Sequence, residues 1–178
     1  MTFEQALHEW HEFFFMVGTS GATLVALLFV AVSLGTGFIT AERAAGTRTF
    51  FSPVVVHFAG VFFVSAVCLV PGHQVNFFAY LIGACAIIGL AVSGFATVQM
   101  LRNNWSQLLE DRLAYGLLPA AAYSALLIAA FMIDAGKPLA LDVLAGSLML
   151  LLLINIRNAW DLTLEMVRQQ TRRQKQKR

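Results

Sequence analysis

The chain has 178 residues, of which 58% are hydrophobic and only 12% charged, with a net charge of +2. Soluble domains carry about 25% charged residues, so this composition excludes an ordinary water-soluble domain and points to an integral membrane protein. One compact helical bundle uses the whole length and leaves no room for a second folded domain.

Residues 1–15 contain TFEQALHEWHEFFF, in which Phe3, Leu7, Trp10 and Phe14 share one helical face and Glu4, His8 and His11 the neighbouring one. This pattern predicts an external amphipathic helix lying along the membrane surface, with Trp10 at headgroup level. No basic residue is present to attract anionic lipid, so packing of the aromatic face must hold it. The segment is acidic (Glu4, Glu9, Glu12) and lacks the positive region that opens a cleavable signal. It is expected to stay in the mature protein.

The first predicted span covers residues 16–38. Residues 18–38 run without a charge, long enough to cross a hydrocarbon layer of about 30 Å as a helix. At 100° per residue Thr19, Ala22, Ala26, Ser33 and Gly37 fall in one stripe. Small residues let membrane helices approach closely, which makes Gly18, Ala22, Ala26 and Gly37 helix-packing candidates. Such a stripe suits either an oligomer axis or narrow passage, or ordinary packing inside one subunit.

Residues 18–35 read GTSGATLVALLFVAVSLG. This stretch resembles the opening span of small, uncharacterised bacterial inner-membrane proteins, in which G-x-x-x-A-T-L-x-x-L-L-F-V-A-V-S-L recurs. The likeness extends to SPVVVHF at residues 52–58. It implies a bacterial inner-membrane protein and brings with it no activity and no catalytic residue.

A short polar loop over 40–49 carries Arg43 and Arg48. The second predicted span, 50–70, has Pro53 in its first turn, where a missing N–H costs little, and stops at Pro71–Gly72. The third covers 77–101. A polar connection over 102–112 leads to the fourth, 113–133, in which Pro119 marks a kink or an early turn. The sequence DAGKP then makes a tight turn into the fifth, 139–160, and residues 161–178 form a basic helix and tail. The expected fold is therefore all-α, with five transmembrane helices preceded by an external amphipathic helix.

Five crossings put the termini on opposite sides. With the C-terminus cytoplasmic, Lys137 is the only one of the 12 basic residues left outside, as the positive-inside rule requires. The expected location is a bacterial inner membrane, N-terminus outside and C-terminus in.

His57 is the most informative polar residue. It lies about seven residues into the second span, roughly 10 Å deep at 1.5 Å per residue. Ser33, Ser93, Thr97, Tyr115 and Asn155 reach a similar depth, and together these could line a pore or polar cavity. Alternatively, His57 is a neutral side chain bonded to a neighbouring helix. A second constellation is external: Glu4, His8, His11 and Glu12 recur at helical spacing, with His73 on the same predicted side. Histidines and carboxylates so spaced could hold zinc or copper, or simply face water. HEWHE is not the H-E-x-x-H of metalloproteases.

The tail carries Arg172, Arg173, Lys175, Lys177 and Arg178, a cluster suited to anionic lipid headgroups. It has no aromatic residue on which a nucleic-acid base could stack, so no nucleic acid is expected. Cys68 and Cys85 lie in apolar runs and read as packing residues. No phosphate loop, nucleophile elbow or carboxylate dyad is present, so neither an enzyme nor a cofactor is implied. The leading functional expectation is a homo-oligomeric channel or pore-like protein for ions or small solutes. A non-conducting scaffolding or regulatory membrane protein is the alternative, and a membrane enzyme with an external metal site is the most remote.

Overall fold

The computed structural model describes residues 3–35, 41–72, 74–103 and 113–176. All regular structure among them is helical. The elements are α1 (Phe3–Glu9), α2 (His11–Gly35), α3 (Ala41–Leu69), α4 (Val75–Asn103), a π-helical turn (Leu113–Leu117), α5 (Leu118–Asp134) and α6 (Ala140–Gln176).

Among the described residues four helical stretches are long and apolar enough to cross a membrane: His11–Ala31, Val75–Gln99, Ala114–Asp134 and Ala140–Leu164. This is the architecture of a membrane protein. The apolar part of α3, Pro53–Leu69, is shorter at 17 residues. Residues 41–49, expected as a loop, instead begin α3. Their composition explains the difference, since AERAAGTRT is rich in alanine, glutamate and arginine, all good helix formers.

The amino-terminal segment also differs from the single helix expected over 1–15. α1 ends at Glu9, the chain turns at Trp10, and α2 begins at His11. The Trp10 N–H donates to the Leu7 carbonyl at 3.2 Å, a tightened final turn that closes α1. Phe14 is then fully buried in the core, so the aromatic run serves the bundle as well as the surface helix.

α2 packs on α3, α3 on α4 and α6, α4 on α5, and α6 on α5 and back onto α2. Val61, Val64, Phe58, Leu126, Leu144, Leu148 and Leu151 fill the centre. Large apolar side chains such as Phe29, Phe95 and Phe131 point outward, with 63%, 66% and 68% of their surface exposed. In water such faces would be a liability. In lipid they are the solvated surface.

The turns follow their sequences. After α5, Gly136 adopts φ +61°. Its N–H donates to Ile133 O, and the Lys137 N–H donates to Met132 O at 2.9 Å. This is a Schellman cap, whose left-handed position favours glycine. Pro138 follows immediately, where no helical N–H is needed. Pro119 sits in the first turn of α5. A proline ring clashes with the carbonyl four residues back, here Tyr115, and the chain avoids this by widening into the π turn that precedes α5.

Candidate functional site

Within hydrocarbon, each hydroxyl must find a partner in the protein. Ser93 donates to Gly89 O at 2.9 Å and Thr97 to Ser93 O at 2.8 Å, each one turn back along α4. Thr19, Thr23 and Ser33 do the same along α2, to Phe15, Thr19 and Phe29 carbonyls at 2.7–2.8 Å. Asn155 uses its amide N–H on Leu151 O at 2.8 Å in α6. The hydroxyls are thus served locally along their own helices, whereas Asn155 is served only through its amide N–H.

Among the described residues polar contacts also cross between helices, and two of them run through buried tyrosines. His57 Nδ1 lies 3.0 Å from Tyr123 Oη, joining α3 to α5. The tyrosine ring reaches across α4 at Gly89, where any Cβ would overlap it, and its hydroxyl ends near Gly60 of α3. Gly89 thus provides the slot through which α5 touches α3. Both His57 and Tyr123 are buried, at 1% exposure each. His57 Nε2 is buried with no partner among the described residues, as are Ser65 Oγ, Asn155 Oδ1 and Asn158 Oδ1.

The second contact ties α6 to the π turn. Tyr115 Oη donates to the Asn158 carbonyl at 3.0 Å, and Asn158 Nδ2 donates to Ala114 O at 2.9 Å. In the π register the Ala114 carbonyl would take the N–H five residues on. That residue is Pro119, which has none, and the Asn158 amide serves the carbonyl instead.

The pore or cavity candidates therefore separate. His57, Ser93, Tyr115 and Asn155 are buried inside one subunit and Thr97 is half-buried, while Ser33 is exposed on the outer face of α2. His57 and Tyr115 each engage another helix, to different partners. Tyr123 and Asn158 were not among the sequence-based candidates. A tyrosine in the middle of an apolar span was the available signal, because its hydroxyl needs a partner there.

The helix-packing candidates on α2 also divide. Gly18 and Gly21 are buried against α3, with a Cβ on Gly18 falling 2.9 Å from Ser65 Cβ and one on Gly21 falling 3.2 Å from Phe58 O. Thr19, Ala22, Ala26 and Ser33 lie on the opposite, exposed face. Gly37 lies outside the described residues.

At the other end of the bundle, His8 and His11 face each other with ring centroids 6.3 Å apart. With Glu4 they border a cleft of about 450 Å³ between α1 and the carboxyl end of α3. Glu12 is exposed and outside that lining, and His73 lies outside the described residues. Among the described residues no three histidine, cysteine, aspartate or glutamate side chains are placed to hold a metal ion. A lateral cleft of about 350 Å³ opens between α3 and α4, with Tyr123 at its floor and Phe63 and Ile88 at its rim.

α6 continues as helix to Gln176, which carries Arg172, Arg173 and Lys175 beyond the apolar stretch that ends at Leu164. Lys177 and Arg178 lie outside the described residues. No family model, curated protein or solved structure matches this chain.

Proposed function

We propose that this chain is a homo-oligomeric channel or pore-like protein for ions or small solutes in a bacterial inner membrane. In this reading α2 to α6 make five crossings, with the amino terminus outside and the basic tail in the cytoplasm among anionic headgroups. The apolar part of α3 spans about 25 Å at 1.5 Å per residue. The helical turns before Pro53 extend it toward the length required.

One observation carries the reading. The exposed face of α2 bears Thr19, Ala22, Thr23, Ala26 and Ser33 among larger apolar residues such as Phe15, Phe29 and Val30, while its opposite face packs on α3. The small residues between the large ones allow close approach of a second copy, and their hydroxyls can border a narrow aqueous route. The buried polar candidates of one subunit sit at separate places, and His57 and Tyr115 are tied to different partners, so this reading puts the route between subunits.

The test is ion and small-solute flux into liposomes containing the purified protein, measured for the natural chain and for Ala22→Trp and Ala26→Trp. Flux that falls at least tenfold in these variants supports the reading. Liposomes tight to every solute would reject conduction, and a stable co-purifying membrane protein would instead favour a scaffolding role.

A further inference from the structure

α1 closes over one end of the bundle, and the cleft beneath it has no part in conduction between subunits. Phe3 meets Phe78 of α4 edge-on, with ring centroids 5.3 Å apart and planes at 67°. This contact fixes α1 so that its polar face turns toward the carboxyl end of α3. Glu4 and His8 come from α1 and His11 from the start of α2, and Phe3, Leu7, Leu69 and Val70 supply apolar wall. At about 450 Å³ the space matches the usual volume of small-molecule sites.

Its side-chain charge is acidic. Glu4 contributes a carboxylate, and the negative end of the α3 dipole is opposed by the positive ends of α2 at His11 and of α4 at Val75, so the carboxylate sets the sign. Glu9 and Glu12 add to the same end of the chain. No lysine or arginine occurs in residues 1–42 or 49–101, so α1, α2, the apolar part of α3 and the first turns of α4 hold no cation to balance them. Neutral imidazoles can accept hydrogen bonds, and the face of Phe3 attracts positive charge.

We propose that this cleft binds a small organic ammonium ion bearing a short apolar body. The ammonium group sits against the Glu4 carboxylate beside the last carbonyls of α3, and the hydrocarbon part lies on Phe3, Leu7, Leu69 and Val70. A bare metal ion is a poorer fit, because among the described residues no three ligating side chains converge. An anion would meet like charge.

The experiment uses the full chain in phosphatidylglycerol nanodiscs, titrated calorimetrically with butylammonium, 1-butanol and butyrate. Butylammonium should bind at least about tenfold more tightly than either of the others, the ratio expected of a charge-assisted hydrogen bond. Glu4→Gln should weaken it by about tenfold, and Leu69→Trp should abolish it by filling the wall. Glu9→Gln removes the same charge from the same helix outside the lining and should leave affinity within about twofold, which separates the site from general attraction to an acidic surface. Nanodiscs containing phosphatidylethanolamine identify the source: a weaker apparent affinity means that the headgroup ammonium competes for the cleft, and an unchanged one means a soluble amine. Equal binding of butanol, indifference to Glu4→Gln, or zinc binding that His8→Ala abolishes would each overturn the proposal. Since no flux is read, failure here and failure of conduction are separate results.

Discussion

His57 and Tyr123 stand 66 positions apart in the chain and meet inside the bundle, Nδ1 to Oη at 3.0 Å. The contact fixes the spacing of α3 and α5 through the gap that Gly89 leaves in α4. Removing the hydroxyl with Tyr123→Phe leaves both imidazole nitrogens without a partner. The expected loss is about 1–3 kcal/mol. His57→Leu removes the histidine's own desolvation cost, so the double variant should be less destabilised than the two single losses summed, with a coupling of about 0.5–3 kcal/mol. Denaturant unfolding in detergent measures the cycle, and strict additivity would mean that the pair does not interact.

Two glycines of α4, five residues apart, should respond in opposite directions. A Cβ at Gly89 overlaps the Tyr123 ring, whereas one at Gly94 meets open space. Gly94→Ala should stabilise by about 0.5–1 kcal/mol through the lost conformational freedom of the unfolded chain. Gly89→Ala should destabilise by about 1–3 kcal/mol, as overpacking does. Thermal melting in one detergent compares them, and a shift of equal sign for both would show that the tyrosine does not occupy this slot.

The Asn158 amide should matter more than its position in an apolar helix suggests. Asn158→Leu leaves the Ala114 carbonyl buried beside a proline that cannot serve it. A loss of about 1–3 kcal/mol is expected, concentrated at the π turn. Hydrogen exchange should accelerate in residues 113–120 before the rest of α5. Uniform acceleration along the bundle would argue against this local role.

The two faces of α2 predict separable defects. Gly21→Leu drives a side chain into the α3 backbone near Phe58 and should lower the melting temperature of the subunit itself. Ala22→Leu, on the exposed face, should leave subunit melting nearly unchanged while shifting the proposed assembly toward smaller species. Light scattering in detergent reads the second effect. An unaltered assembly after changes at both Ala22 and Ala26 would remove the exposed face from the subunit contact.

For the basic tail, deleting residues 172–178 should weaken attachment of the carboxyl end of α6 to anionic vesicles, by about 1 kcal/mol for each basic residue lost. The difference should fade at high salt. Vesicle co-sedimentation of a soluble peptide covering 161–178, against its truncated form, makes the comparison.

The helical character and the apolar stretches around α2, α4, α5 and α6 were legible in the chain because hydrocarbon permits few backbone solutions, and length with hydropathy reveals them. Turn chemistry was equally local: Pro71–Gly72 and Gly136 with Pro138 end and restart helices through their own backbone limits. Residues 41–49 were misread as a loop because polarity outweighed helix propensity, and Trp10 gave no sign that α1 would close there. What only tertiary structure decided is which groups meet. Tyr123 gains a partner because Gly89 vacates a slot on a different helix, and Asn158 serves a carbonyl orphaned by Pro119, nearly forty positions away. Gly18 and Gly21 face α3 while Ala22 and Ala26 face outward, though all share one apolar span. Such pairings depend on helix rotation and crossing, which are set by the packing of several helices at once and leave no periodic mark on any single one.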